Sequence, residues 1–439
     1  MLDRLLSLET FGIKLGLENI TRLCEGLGHP ERAFTSLHVA GTNGKGSVTA
    51  MVHAALQASG LRTARYTSPH LADITERFVI GDTPVDTATF DAVAREVLDT
   101  ADRLEASGAL RVSPTFFEAT TAIAFELFRR AGTEVAVIEV GLGGRFDATN
   151  VIAPAAGAIT TIGFDHQQHL GHTLAAIAFE KAGIIKAGTP IVAGWLPDEA
   201  MDVVRRVARE RQATLLEAAR DTAIEASMVE GAAHLTLTTP AGRYGPLTLA
   251  LRGEHQIRNA AVAVRLLETA AQSGIRIPRD AIVHGLTRAA WPARLEPLTL
   301  TDGGRVILDA AHNAEGAAAL ADYLGRWHPE RPALVVGVMR DKDTAAIVEP
   351  LLPRVSAIVA TEAPTPRALP ASELELRLLA AVQRMPLAAR PAISREDDPL
   401  TAVNRALASN AMVVVAGSIF LVGPVRERLV PRTIVRATL

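Results

Sequence analysis

The stretch from Ser36 to Gly60 restricts the possible folds of this chain more than any other. A short apolar run, Ser36-Leu-His-Val-Ala40, leads into Gly41-Thr42-Asn43-Gly44-Lys45-Gly46-Ser47, and a helical pattern then continues to Ser59. Glycines allow backbone angles and close approaches that other residues resist, so successive N–H groups can converge on one hollow. A helix start adds partial positive charge there, and Lys45 adds a full one. A strand, turn and helix of this kind form a cradle for nucleotide phosphates and belong in an α/β sheet. The loop residues 41–47 are therefore a candidate phosphate-binding set.

The loop departs from the common phosphate-binding pattern at two places. Val39 stands where the first glycine is usual, and Gly46 stands where a Ser or Thr hydroxyl would hold Mg²⁺. The metal must then find ligands elsewhere in the chain.

Composition narrows the function classes. At 439 residues the chain is long enough for two or three domains with real cores. A net charge of −3 gives no reason to expect nucleic acid or an anionic membrane as a partner. The single cysteine, Cys24, permits no intrachain disulfide, which suits the cytoplasm. Asp3, Arg4, Glu9 and Lys14 interrupt any signal-peptide core, and no apolar run approaches the roughly 18 residues of a membrane span.

Along the chain, short helices are expected around Met1–Leu8 and Leu17–Leu27, before the loop. After it, strand patterns at Arg62–Tyr66, Glu134–Val140 and Ala156–Ile162 alternate with helical patterns at Thr87–Ala106, Phe116–Ala131, Leu174–Ala182 and Glu199–Gln212. Segments near His234–Thr238 and Leu247–Leu251 suggest an antiparallel patch before the helix Gln256–Gln272. Trp291-Pro-Ala-Arg-Leu-Glu-Pro297 breaks the pattern, and α/β alternation then restarts with the strand Arg305–Asp309 and runs on to the strand Ala411–Ala416. The fold class predicted is α/β: a phosphate-loop domain with a mostly parallel sheet over residues 1–294, then a smaller Rossmann-like α/β domain over 295–439.

Ligands in open parallel sheets bind beyond the carboxyl ends of the strands, which makes polar residues at those ends candidates. Ser68, Glu139 and His166 follow three such ends in the first unit. Glu139 closes an otherwise apolar strand, a costly place for charge unless a lysine or Mg²⁺ answers it. His166 taken alone reads as a hydrogen-bonding histidine, because Mg²⁺ prefers oxygen. Lys181 falls on the helical stripe of Leu174, Ile177 and Ile185, and either snorkels to water or is buried with a lowered pKa. Spacing alone favours snorkelling. In the second unit Asp309 ends a strand before Ala310-Ala311-His312-Asn313, and Gly417-Ser418 ends another. Asn259 and Arg294 could close over a nucleotide, or serve as a cap and a surface residue; spacing leaves both open.

The motifs His38–Ser47, Tyr66–Leu71, Glu139–Asn150 and Glu180–Lys186, followed by Trp291–Glu296, Asp309–Asn313, Asp341–Asp343 and Ala416–Phe420, together resemble the folylpolyglutamate synthase/dihydrofolate synthase family of Mur-ligase-like amide ligases. The resemblance runs in order over nearly the whole chain. It implies that Ser68, Glu139 and His166 are metal ligands. It also implies that Gly41 to Ser47, Asn259, Arg294 and Asp309 hold ATP. Lys181 matches the family's carbamylated lysine, which helps bind a second Mg²⁺, and this overrides the snorkelling reading. Thr115, Phe116, Phe117 and Glu118, with Phe146, Asp147 and Ala148, match positions lining the pterin site of bifunctional members. His312 matches a residue near the incoming glutamate. Bifunctional members carry an Asp where this chain has Lys14; other apparent members of the family also have lysine there, so the change excludes neither activity.

The expected reaction adds L-glutamate to dihydropteroate, to a reduced folate with its γ-glutamyl tail, or to both. The acceptor carboxylate attacks the γ-phosphate of ATP, and the amine of glutamate then displaces phosphate from the acyl phosphate. Lys45 and two Mg²⁺ ions would neutralise charge during phosphoryl transfer, and Lys45, Lys181 and His312 are the candidate catalytic residues. A cytoplasmic monomer with small-molecule partners only is expected. The rivals are a monofunctional folylpolyglutamate synthase, a Mur ligase acting on a cell-wall nucleotide, and a nucleotide-binding switch without ligase activity. The second of these needs a uridine-nucleotide domain for which about 35 residues before the loop leave little room.

Overall fold

The computed structural model describes residues 1–8 and 16–433; Lys14, with Gly12, Ile13 and Leu15, lies outside them. The first sheet has eight strands in the order Thr83–Pro84, Phe78–Ile80, Thr63–Tyr66, Val135–Glu139, Thr35–Ala40, Ala156–Ile159, Ile191–Ala193 and Leu215–Glu217. The first two pair antiparallel and the other six run parallel. The phosphate-loop strand sits centrally, with Leu37 level with Val137 on one side and Ala156 on the other.

Central strands of a parallel sheet are covered on both faces and so read as continuous apolar runs. Strand geometry still sorts their side chains by parity. Val135 and Val137 join Val48 and Met51 of the loop helix, Lys45–Ala58, in one core cluster. Ala136 and Ile138 join Ile123 and Phe125 of the helix Phe116–Arg130 in another. Glu139 shares the parity of Val137, which aims its carboxylate at the loop-helix face. Register therefore decides where the one charge of this strand goes.

A three-stranded antiparallel sheet, Ala223–Val229, Ala232–Thr239 and Gly242–Thr248, packs with the helix His255–Gln272. The last of these strands was expected at Leu247–Leu251. It begins earlier because Pro246, which reads as a breaker, is tolerated on an edge strand. The second large sheet has the order Glu296–Thr299, Arg305–Leu308, Met412–Ala416, Ala333–Val336, Ala357–Ala360, Ala392–Arg395. Its first strand is antiparallel to its neighbour and the rest are parallel. Glu296 and Pro297, read as part of a break, open that edge strand for the same reason. Its core follows the same parity, with Ile307, Val336 and Val414 on one face and Val306, Val335 and Val415 on the other. Among the described residues no helix is long and apolar enough to cross a membrane.

Candidate active site

The carboxyl ends of the two large sheets face one cleft of about 1460 Å³. Its lining includes the loop residues 41–47, Ser68, Thr115 to Glu118, Glu139, Phe146 to Ala148, His166, Lys181, Asn259, Arg294, Asp309 and His312. Every residue singled out above as a site candidate thus borders the same space, although they span most of the chain.

The phosphate loop is held rigid by the strand end beside it. Thr42 N donates to Thr161 O at 2.8 Å, Asn43 N donates to Thr161 Oγ1 at 3.0 Å, and Thr160 Oγ1 donates to Asn43 O at 2.6 Å. Lys45 Nζ folds back onto the carbonyls of Gly41 and Thr42, at 3.0 and 3.2 Å. The substitution at Gly46 has a steric cause. A Cβ there would lie 2.3 Å from the indole of Trp291, so the linker ring occupies the place of the usual hydroxyl-bearing side chain.

Glu139 is 4% exposed, and its Oε2 has no hydrogen-bond partner. Burial pushes its pKa up to about 7, against the pull of Lys45, the Ser68 N–H, Arg294 and Arg65. An orphaned carboxylate oxygen beside a phosphate loop, with a serine hydroxyl nearby, suits a hard divalent cation. Among the described residues no three His, Cys, Asp or Glu side chains converge into a metal cage, so such an ion must lean on hydroxyl and phosphate oxygens as well. Burial lowers His166 to about 4, which keeps its imidazole neutral. His166 has a left-handed backbone, φ 48°, and its N–H donates to Asp165 Oδ1 at 2.9 Å.

Lys181 does not snorkel. It is 4% exposed, and its Nζ donates to Gly41 O at 2.9 Å. Burial, then Lys45, lowers its pKa to about 7, so a large share of the amine is neutral near neutral pH.

The remaining candidates divide by how they are used. Asn259 Nδ2 donates to Gln256 Oε1 at 2.9 Å, and Gln256 Nε2 reaches Ser47 Oγ at 3.2 Å, so the pair braces the loop helix. Thr115 and Glu118 form a reciprocal capping box at the start of Phe116–Arg130, with Glu118 Oε1 left buried and unpartnered. Phe117 packs over Gly141, and Phe116 lies under Arg77. Phe146 is exposed at the cleft mouth beneath the Arg145 guanidinium, 4.2 Å away. Asp147 accepts from Leu142 N at 2.7 Å and Thr149 N at 3.0 Å, and Ala148 is buried in the core behind it. Asp309 accepts from Leu295 N and Ala311 N, each at 2.8 Å, which ties the linker to the second sheet. Arg294 faces both Asp309 and Glu139. His312 Nδ1 donates to Ala310 O at 2.8 Å, and burial lowers its pKa.

Three residues escaped the sequence reading. Asp165 is the hub between the two halves, accepting from Lys342 Nζ at 2.6 Å and Asn313 Nδ2 at 3.2 Å. Against the upward push of burial, Lys342 and the charge that His166 and His312 take up only in acid hold its carboxyl well below the usual range. Arg65 lies over the Trp291 ring at 5.3 Å, with its Nε buried and unpartnered near Glu139. Gln256 is fully buried. A charged residue inside the strand Thr63–Tyr66 was the available signal for Arg65, and the strand-end position beside His166 was the signal for Asp165; nothing local marked Gln256.

Residues 39–267 match the Mur ligase middle domain, and residues 293–419 match the Mur ligase glutamate ligase domain. The chain is 33% identical over 425 residues to the dihydrofolate synthase/folylpolyglutamate synthase of Bacillus subtilis, covering 95% of this chain and 96% of that protein. The folylpolyglutamate synthase of Mycobacterium tuberculosis, solved in complex with ADP and AMPPCP, superposes with a TM-score of 0.87 at 33% identity, over 94% of this chain and 95% of that one. E. coli FolC in complex with DHPP and ADP gives a TM-score of 0.84 at 29% identity, over 98% and 97%.

Proposed function

The chain belongs to the dihydrofolate synthase/folylpolyglutamate synthase family of Mur-type ligases, and from that premise we propose how its cleft performs ATP-dependent amide formation. The enzyme is an ATP-dependent ligase that adds L-glutamate to dihydropteroate, to folylpoly-γ-glutamate, or to both. We divide it into a domain of residues 1–294 that binds ATP and the folate-type acceptor and a domain of residues 295–439 that receives glutamate.

Gly41 to Ser47 cradle the phosphates of ATP, with Lys45 turning from its own loop carbonyls to the γ-phosphate. Asn259, Arg294 and Asp309 hold the rest of the nucleotide. Ser68, Glu139 and His166 hold Mg²⁺, and a carbamylated Lys181 helps to hold a second ion. The orphaned Oε2 of Glu139 and the buried Lys181 amine, whose pKa is lowered to about 7, support these assignments. When bound, such ions supply charge neutralisation for the phosphates. The acceptor lies along Thr115 to Glu118 and Phe146 to Ala148, with aromatic faces for a flat ring.

The acceptor carboxylate attacks the γ-phosphorus, the bond to ADP breaks, and an acyl phosphate results. Glutamate, positioned by His312, attacks the acyl carbon as the neutral amine, and phosphate departs. The cleft is lined from both sheets, so both halves must be in place before the amide forms. We place the enzyme in the cytoplasm as a monomer; its lone, buried cysteine is compatible with a reducing compartment.

One observation carries this reading: the phosphate loop, Glu139 and Lys181 from the first sheet border the same cleft as His312 and Asp309 from the second. The test supplies purified protein with ATP, Mg²⁺ and L-glutamate, offers dihydropteroate or a reduced folate separately, and resolves products by mass. Glutamylated product from at least one acceptor is expected. Vigorous ATP turnover without acceptor, and no amide with either, would sink it.

A further inference from the structure

The loop stands against the second domain at a contact that has no catalytic assignment. Glu315 lies in the first turn of the helix Ala314–Trp327, two residues after the N-cap Asn313. Asn43 Nδ2 of the phosphate loop donates to Glu315 Oε2 at 2.7 Å, while Asn313 Nδ2 donates to Asn43 Oδ1 at 3.0 Å. The same carboxylate rests on the Cα of Gly163. A Cβ built there would lie 1.8 Å from Glu315 Oε1 and 2.5 Å from its Cδ, and the three nearest atoms all belong to Glu315. Gly163 is in turn bonded to the loop, since its N–H donates to Thr42 Oγ1 at 3.1 Å. One side chain of the second domain thus meets two consecutive loop residues, Asn43 directly and Thr42 through Gly163.

We propose that Glu315 is a positioning residue that seats the glutamate-receiving domain on the phosphate loop, with Gly163 as the notch that admits it. The inference rests on the ligase reading above. Glu315 is exposed to solvent, so its charge contributes little, and shape with hydrogen bonding does the positioning. A Cβ at Gly163 displaces the exposed Glu315 carboxylate toward solvent, which breaks its bond with Asn43 Nδ2 and loosens the seat of the second domain on the loop.

The experiment compares Gly163→Ala, Glu315→Ala, Glu315→Gln and the double variant Gly163→Ala/Glu315→Ala. It measures kcat, the KM for glutamate and direct ATP binding. Gly163→Ala should lower kcat over KM for glutamate by about two- to tenfold, as Glu315→Ala does, while ATP affinity shifts less than about twofold. The double variant should be no worse than Glu315→Ala alone, because removing the carboxylate reopens the notch. Glu315→Gln, with the same shape and one carbonyl acceptor, should remain near wild type, whereas Glu315→Ala should not. Multiplying losses in the double variant, a Gly163→Ala enzyme equal to wild type, or equal activities for Glu315→Ala and Glu315→Gln would each overturn the proposal. If Gly163→Ala fails to fold, the Glu315 pair still decides it. Wild-type protein that forms no amide would instead count against the ligase reading.

Discussion

The two walls of the cleft handle buried carboxylates in opposite ways. On the first wall Glu139 keeps one oxygen without a partner, and Lys181 has a single carbonyl for its amine. On the second wall Asp309 spends both oxygens on backbone N–H groups, and on the edge strand behind it the half-buried Glu296 is gripped at both oxygens by Arg426, at 2.8 to 3.0 Å. Unsatisfied buried charge costs stability, so it persists where a ligand completes it. Satisfied charge holds a scaffold in place. The first wall is built to receive ionic ligands, and the second to be a firm face that closes on them.

Glu139→Gln is the sharpest way to break that contrast. It should reduce kcat by about 10²–10³-fold, as losing a principal electrostatic group does, and leave thermal stability unchanged or higher because the buried carboxylate is gone. A clear fall in melting temperature would show that Glu139 is structural. Lys181→Ala comes next, with a loss of about 10²-fold in kcat. Activity of the wild type should also fall in bicarbonate-depleted buffer, and near-normal ligation by the variant would remove the carbamate.

Asp309→Asn tests the other wall. An amide must present a donor to one of two N–H groups, so unfolding free energy should drop by about 1–3 kcal/mol, read from denaturant midpoints without nucleotide. The smallest effect concerns acid. Burial lowers His38 and His53 to about 3, below their ordinary 6.5, so the unfolded chain binds protons that the native one refuses. The contribution of these histidines to stability should be level above about pH 7 and fall as pH drops toward 3, by roughly 1 kcal/mol per histidine between pH 7 and 5.5. His53→Gln should remove about 1 kcal/mol of that fall, a minor share, because His70, His166 and His255, each lowered to about 4, contribute as well. A wild-type slope that the variant leaves intact would place the acid sensitivity elsewhere.

Local pattern already carried much of this molecule. The helices Thr87–Ala106 and Leu174–Ala182 stand where periodicity puts them. The loop, the apolar central strands and the polar residues at their ends announced a phosphate site on an α/β sheet. Periodicity could not reveal the edge strands at Pro246 and Pro297, because an edge tolerates what an interior strand forbids. Nor could it decide between a snorkelling and a buried Lys181, since the two differ only in what packs above the helix.

The amino-acid order determined which residues could bear the chemistry, because strand parity and turn glycines are written in short-range spacing. Tertiary structure decided how each is used. Trp291 fills the space above Gly46, Asp165 gathers Lys342 and Asn313 from the far domain, and burial sets the protonation of Glu139 and Lys181. Steric exclusion and desolvation depend on neighbours more than a hundred residues away, and no local spacing encodes them.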